Sequence, residues 1–231
     1  MSWSQTLGGF GKILEGASFG KADYVDLLSL LYYLMRLAST KGNMAREPHI
    51  EKPEDSPAVQ KYPKILANHH ASSILCGYLR MVGMNADDPN QIDDVMGREL
   101  KKTLGEELHG PALLQTMADG LPALGIVAAV LGVIKTMSHI DQPPAVLGAM
   151  IGSALSGTLL GVLLAYGMVR PFASRLKGVV EEEAKHFEVI RAVLVTHLHG
   201  NAPQVSVESG HKMAPNEHMP SFQELEEAVQ M

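Results

Sequence analysis

The sequence predicts an all-α membrane protein that consists of a two-helix transmembrane hairpin and a helical cytoplasmic domain. Charges are strongly segregated, because the stretch between Asp119 and Val169 carries only Lys135 and Asp141 as permanent charges. Outside this stretch apolar residues recur at helical spacing, and no strand-like alternation extends over a useful distance. A long charge-poor block beside polar helical segments is the pattern that a bilayer selects.

Two apolar segments form the predicted hairpin. The second, PPAVLGAMIGSALSGTLLGVLLAYGMV at 143–169, exceeds the roughly 20 apolar residues that a helix needs to cross a bilayer. The first, LPALGIVAAVLGVI at 121–134, is shorter and reaches that length when it is extended to 111–138. A buried core hairpin of a soluble protein is the alternative, although two adjacent segments of this length and polarity rarely occur together in a soluble chain.

The basic residues that flank the two segments predict their orientation. Lys and Arg are frequent on the polar sides of both segments, whereas the 138–142 loop between them has none. By the positive-inside rule both large polar portions are therefore cytoplasmic and the loop faces outside. The flanking residues are Arg98, Lys101 and Lys102 before the first segment, and Arg170, Arg175, Lys177 and Lys185 after the second.

The polar portions divide into further predicted segments. Residues 1–20 have helical spacing weakened by glycines and predict an amphipathic segment on the membrane surface. Residues 21–110 predict a helical cytoplasmic domain, and 170–231 a cytoplasmic helix and tail. Within 21–110 we expect an amphipathic helix over 21–46, a proline-rich connector over 47–63, and shorter helices near 64–83 and 90–108, the last ended by Gly110-Pro111.

Composition excludes several classes of function. The formal net charge of -6 argues against nucleic acid as a partner, and the single cysteine, Cys76, excludes an internal disulfide framework. No nucleophile elbow, P-loop or dinucleotide-binding glycine pattern is present, so we predict a protein that is not an enzyme and uses no cofactor.

Two Glu-x-x-His spacings raise the alternative of a di-iron carboxylate bundle. They join Glu106 to His109 and Glu183 to His186. The first pair is followed at once by Gly110-Pro111, and the second lies in a charge run that is more simply a solvated helix face. We therefore predict no metal site from these spacings.

Several residues within the apolar segments can affect helix contacts or motion. Thr158 places a hydroxyl in the middle of the second segment, where it needs a partner or a water-lined path, and a bond back to its own helix is the alternative. Pro122 and Pro171 interrupt the helical ladder near the cytoplasmic ends and can serve as hinges, or simply mark where helices begin and end. Gly157 and Gly161 have the four-residue spacing that lets helices approach closely.

The sequence resembles the MotA family of the MotA/TolQ/ExbB proton channels. The matching stretches are YVDLLSLLYYLM and YPKILA, the segments ADGLPALGIVAAVLGVIKTM and PAVLGAMIGSALSGTLLGVLLAYGMVRPFA, then HGNAPQVSVESGHK and MPSFQELEE, so that the resemblance covers about 20–228. Family members carry four membrane helices. Because no apolar segment before residue 111 is able to span, we expect this chain to lack the first two.

The resemblance implies a stator subunit of the bacterial flagellar motor. Such subunits form a ring, five in number, around a pair of MotB-like chains in the bacterial inner membrane. Proton flow through the MotB-like partner's carboxylate would turn the ring, whose cytoplasmic domain pushes the rotor protein FliG. A proton rather than a sodium ion is expected, because Ala128 and Ala129 stand where sodium-driven relatives tend to place hydroxyls.

The resemblance also assigns expected roles to individual residues. Pro122 and Pro171 match prolines that take part in conformational coupling, and Thr158 and Ala129 match positions along the ion path. On the rotor side, Ser39 replaces the family's basic residue. The residues expected to contact the rotor are therefore Glu47 and Glu99, with Arg36 or Lys41 in place of the basic residue.

Two alternatives to a working stator subunit stay open. An ExbB- or TolQ-like energiser of outer-membrane transport would carry a Gly-Leu-Leu-Gly-Thr-Val-like run where this chain has GIVAAVLGV, and would lack the PSFQELEE tail. A scaffold that binds partners but has lost channel function is the other alternative.

Overall fold

The computed structural model describes residues 19–67, 69–83 and 88–230. The predicted surface segment 1–20 lies almost entirely outside the described residues. All regular structure in the described residues is helical, which confirms the predicted all-α fold class. The chain divides into two units. We call residues 105–180 the hairpin unit, and the described parts of 17–104 and 181–231 the helical unit.

The described residues form nine α-helices. In chain order these are α1 (Lys21–Lys41), α2 (Glu47–Glu51), α3 (Pro63–Ala67), α4 (His69–Gly83), α5 (Pro89–Met137), α6 (Pro144–Val162), α7 (Arg170–Leu198), α8 (Pro203–His211) and α9 (Phe222–Gln230). Short 3-10 turns cover Asn43–Arg46 and Pro53–Asp55, and a π-helical segment, Leu163–Val169, joins α6 to α7.

Helix α1 is the central element of the helical unit. It begins where the Asp23 carboxylate accepts a hydrogen bond of 2.8 Å from the backbone N–H of Gly20. It ends before Gly42, whose φ of 82° lies in the region that favours glycine. The helix predicted over 21–46 is therefore five residues shorter, because a helix cannot continue through this backbone conformation.

The core of the helical unit is built from large apolar side chains. One side of α1 buries Leu27, Leu28, Leu31, Leu34 and Met35 at 2% exposure or less. Helices α4, α7 and the first turns of α5 contribute further core residues, which include Ile74, Leu79, Ile92, Met96, Ile190 and Val193. Burial of this kind contributes about 1.5–3 kcal/mol per side chain before entropy is subtracted.

The tail of the chain folds back onto the same unit. Ser221 and Glu224 form a reciprocal cap at the start of α9, because the Glu224 carboxylate accepts from Ser221 N–H at 2.7 Å and the Ser221 hydroxyl accepts from Glu224 N–H at 3.3 Å. Glu224 also forms a 2.7 Å ion pair with Lys21. The MPSFQELEE stretch therefore fixes the C-terminal helix against the start of α1.

The observed length of helix α5 shows that one prediction was wrong. The sequence predicted a helix end at Gly110-Pro111, but α5 runs without a break from Pro89 to Met137 with Pro111 and Pro122 inside it. A proline removes one backbone donor and costs about 3 kcal/mol in a helix interior. The cost is tolerated in long membrane helices, where neighbouring helices and local adjustment satisfy the freed carbonyl groups.

Candidate functional site

The two long helices of the hairpin unit approach each other through glycines. A Cβ atom added to Gly161 would lie 2.7 Å from the carbonyl oxygen of Leu121, and one added to Gly125 would lie 2.9 Å from the carbonyl oxygen of Gly157. Both distances are too short for real carbon atoms, and the obstacles are backbone atoms that cannot rotate away. Only glycine fits at this crossing, as in other close helix contacts in membranes.

Thr158 lies at this crossing and contacts the opposite helix. Its hydroxyl donates a hydrogen bond of 3.3 Å to the backbone carbonyl of Gly125. The alternative of a bond back to its own helix is therefore wrong for Thr158, although Ser156 does form such a bond with Gly152 at 3.0 Å. Ala129 lies one turn beyond Gly125 on α5 and is half-buried. The structure thus places Thr158 and Ala129 on two helices that meet.

Both sequence-predicted prolines lie within long helical runs. Pro122 lies inside α5, so it does not mark a helix end. Pro171 is the second residue of α7, so only Arg170 separates it from the π-helical segment. There the backbone N–H of Arg170 donates to the carbonyl oxygen of Ala165, five residues earlier. A π segment before a proline is a local irregularity that the sequence analysis missed, although the proline itself was its signal.

The outer surface of the hairpin unit is apolar. Two helical runs, Pro89–Met137 and Pro144–Leu198, each contain an apolar stretch of 18 residues of which 11% are buried. The core helix of a soluble protein would instead be mostly buried. Exposed large apolar residues include Leu124, Leu131, Leu155, Leu159 and Leu163. This surface distinguishes the hairpin from the soluble alternative, because so large an apolar area must be covered by lipid or by other apolar chains.

The helical unit carries an open groove with basic and aromatic lining. It encloses about 530 Å³ beside the second half of α1. Arg36 and Lys41, both exposed, line it together with Lys61. The structure therefore brings the two candidate basic residues to one groove and adds a lysine that sequence reasoning did not find. The aromatic lining consists of Tyr32, Tyr33, His49 and Tyr62.

Glu47 begins α2 and is exposed, whereas the preceding Arg46 is buried at 1% exposure. Burial lowers the pKa of the Arg46 guanidinium. Arg46 also lowers the pKa of His197 on α7, an effect secondary to the burial of that imidazole. The two neighbouring charges are thus in different surroundings, with Glu47 at the surface and Arg46 directed into the helical unit.

Glu99 is held within the helical unit. The Tyr78 hydroxyl donates a hydrogen bond to its carboxylate. Burial raises the pKa of the Tyr78 phenol, and the bond to Glu99 raises it further. The groove does not include Glu99, so the structure does not group it with Arg36 and Lys41.

The sequence profile of the MotA/TolQ/ExbB proton channel family matches residues 66–189. The chain belongs to this family. It is 38% identical to motility protein A of Escherichia coli strain K12 over 225 residues, which cover 97% of this chain and 76% of that protein. The flagellar MotAB stator complex from Bacillus subtilis matches with a TM-score of 0.64 at 27% identity over 82% of this chain and 67% of that one.

The chain is also similar to a second MotAB structure and, more distantly, to a transport protein. MotAB of C. jejuni shares the fold with a TM-score of 0.73 over 94% of this chain and 77% of that one, at 16% identity. A putative biopolymer transport protein ExbB homolog of Methanothermobacter thermautotrophicus is 22% identical over 198 residues. These relatives support the assignment of this chain as a flagellar stator subunit within a membrane protein family. Its similarity to the ExbB homolog is more distant.

Proposed function

We propose that this chain assembles with a MotB-like subunit in the bacterial inner membrane and couples proton flow to torque on the rotor protein FliG. Copies of the chain form a ring, five in number, around the partner. The observation that carries the proposal is the hairpin itself. Its two helices make close contact with each other at glycines. Its large apolar residues remain exposed and can contact lipid, neighbouring copies and partner helices.

The ion path lies beside the crossing of α5 and α6. Thr158 supplies the hydroxyl oxygen there, and Ala129 supplies a small apolar surface. The carboxylate that takes up the proton belongs to the MotB-like partner. Ala128 and Ala129 provide no side-chain oxygen for a sodium ion, which as a hard cation prefers oxygen ligands. A motor speed that followed external sodium at a fixed proton gradient would overturn the proton assignment.

Pro122 and Pro171 act in the conformational step that proton uptake drives. Both lie where the backbone ladder is interrupted, and Pro171 adjoins the π-helical segment. Pro122→Ala and Pro171→Ala should leave membrane insertion intact and stop rotation. Pro111→Ala, also inside α5, is the matched control and should keep rotation. Normal swimming of both test variants would reduce these prolines to structural elements.

The rotor contact is made by the exposed charges at the end of α1 and the start of α2. Arg36 and Lys41 offer positive charge along the groove, and Glu47 offers negative charge nearby in sequence. Glu99 contributes least, because its carboxylate is already engaged by Tyr78. Exposed ion pairs are worth about 0–1 kcal/mol to stability, but complementary charges across an interface select the partner and its register.

A charge swap tests this contact. Glu47→Lys should slow or stop rotation while the amount of membrane-inserted, assembled protein stays unchanged, and the opposite reversal on the rotor protein should restore motility. Glu107→Lys, at an exposed position of the hairpin unit, is the matched control and should have little effect. Failure of every reversal on the rotor to restore motility would remove Glu47 from the interface.

A further inference from the structure

Three metal-ligating side chains from distant parts of the sequence meet in the helical unit. Glu182 lies on α7, and Glu217 and His218 lie in the turn between α8 and α9. One ligand atom from each lies within 4.8 Å of the other two. Among the described residues this is the one group of at least three such side chains, and neither Glu-x-x-His pair belongs to it.

A buried tyrosine adjoins this group. Tyr24 on α1 is 0% exposed, and its hydroxyl has no hydrogen-bond partner among the residues that the structure describes. Its ring lies nearly parallel to that of His218, with centroids 6.5 Å apart and planes inclined by 16°. Burial raises the pKa of the phenol, and the nearby carboxylates of Glu182 and Asp23 raise it further. A buried hydroxyl without a partner costs about 1–3 kcal/mol, so this one calls for an acceptor at the cluster.

The electrostatics of the site favour a cation. Asp23, with a side chain 5% exposed, already has a cationic partner in Lys64 at 2.9 Å. Glu182 and Glu217 bring two more carboxylates together beside His218. Two anionic groups held at this distance repel each other, and a divalent cation between them turns the repulsion into attraction.

We propose that Glu182, Glu217 and His218 bind one Zn²⁺ ion, which fastens the turn after α8 to helix α7. Two carboxylate oxygens and one imidazole nitrogen are zinc ligands, and water completes the tetrahedron on the exposed side. Zinc bonds of about 2.1 Å place tetrahedral ligand atoms about 3.4 Å apart. Since Glu217 is exposed and lies in a turn, rotation of its side chain supplies the small contraction required.

Tyr24 positions this site without touching the ion. Its ring lies nearly parallel to the His218 imidazole, and its buried hydroxyl donates to a ligating carboxylate. Outer partners of this kind typically change metal affinity 10–100-fold. A Tyr24 variant therefore tests the site without removing any of the three ligands.

The test is a zinc titration of the whole chain, purified in detergent without a histidine tag and stripped with chelator. The chain has ten histidines, so the site is identified by difference between variants. Glu182→Gln, Glu217→Gln and His218→Ala should each weaken one site by about 100-fold or more, beyond the loss from an outer partner. Glu227→Gln and His199→Ala, at exposed positions elsewhere, should titrate as the parent does.

Cobalt(II) titrations give a second readout, because this ion can take the tetrahedral geometry of a zinc site and absorbs visible light in it. The visible absorption should be present in the parent and lost in His218→Ala. Tyr24→Phe should retain it with about 10-fold weaker affinity. Unfolding temperatures in chelator separate loss of a ligand from loss of fold, and the glutamine variants should match the parent there. Equal stoichiometry and affinity in the parent and all three ligand variants would overturn the site.

Discussion

The hairpin unit and the helical unit of this chain use opposite packing rules. In the hairpin unit, glycines lie at the contact and large apolar residues such as Leu159 point outward, at 67% exposure. In the helical unit, the leucines of α1 are inside, and Leu31 is 0% exposed. The difference follows from the solvent, because lipid gives no hydrophobic reason to bury a leucine and leaves close backbone contact as the main source of helix association.

The two units also differ in the kind of polar contact that joins their helices. The hairpin unit uses a neutral hydrogen bond from Thr158 to a backbone carbonyl. The helical unit uses ion pairs, including Arg191 with Asp93 at 2.7 Å and Lys64 with Asp23 at 2.9 Å. A charge costs much more free energy in hydrocarbon than at a water-exposed surface, so ion pairs such as these two suit the helical unit.

The largest expected effect compares one leucine from each unit. Leu31→Ala should lower the free energy of unfolding of the helical unit by about 2–5 kcal/mol, because it leaves a cavity in a closed core. Leu159→Ala should leave the unfolding of the purified chain nearly unchanged, because that side chain faces outward. Denaturant unfolding in detergent measures both. Equal losses would show that the two units do not follow different packing rules.

The next effect concerns pH and is confined to the helical unit. Burial lowers the pKa of His186 to about 4, and the nearby charge of Asp23 opposes this only in part. Its ring stacks on Phe19 with centroids 3.7 Å apart. The imidazole of the unfolded chain has a pKa of about 6.5. Between pH 4 and pH 6.5 the unfolded chain therefore binds a proton at His186 that the folded chain does not bind. Stability should therefore fall as the pH drops from 6.5 to 4, by up to about 3 kcal/mol.

The variant His186→Phe keeps an aromatic ring against Phe19 and removes the titration. Unfolding followed at a series of pH values should show a flatter acid limb for this variant than for the parent. His199→Ala, at an exposed position, is the control and should retain the parent's profile. An unchanged acid limb in His186→Phe would assign the loss of stability to other groups.

A smaller effect tests the glycine contact of the hairpin unit. Gly161→Ala places a methyl group against the backbone of Leu121 and Gly125, and should destabilise the hairpin by about 1–3 kcal/mol. At Gly148→Ala no atom of the described residues lies within 4 Å of the added carbon, so this variant should be neutral in the purified chain. Thermal unfolding in detergent compares the two. If Gly161→Ala unfolds as the parent does, the helices have room to separate and the contact is not specific.

Removal of the Thr158 hydroxyl should have the smallest effect on the free energy of unfolding. Thr158→Val retains the shape and removes the hydrogen bond to Gly125, which should cost about 0.5–1.5 kcal/mol. Thr116→Val, which removes a hydroxyl bonded to its own helix, is the matched control. If Thr158→Val stops rotation while unfolding is hardly affected, the hydroxyl serves the ion path more than the fold. A loss of stability with normal rotation would assign it to packing alone.

Most of the architecture could be predicted from local patterns in the sequence. The all-α class, the two apolar segments and the amphipathic α1 depend on hydropathy and periodicity over about 20 residues, and both are properties of the chain itself. The family resemblance was equally accessible, because the span sequences and the PSFQELEE tail are contiguous. Local patterns were misleading at Gly110-Pro111, where the α5 helix continues because its length and neighbours outweigh the cost of one proline.

The sequence by itself therefore determined that this chain is helical, which segments are able to span a membrane and which family it belongs to. Only the tertiary structure decided which side chains meet. The Thr158 hydroxyl donates to a carbonyl oxygen 33 residues away on the opposite helix. Arg46 is buried whereas Glu47 is exposed. Glu182 lies within metal-ligand distance of His218. The physical reason is that helix formation depends on neighbours along the chain, whereas partners across helices are fixed only by how the helices pack.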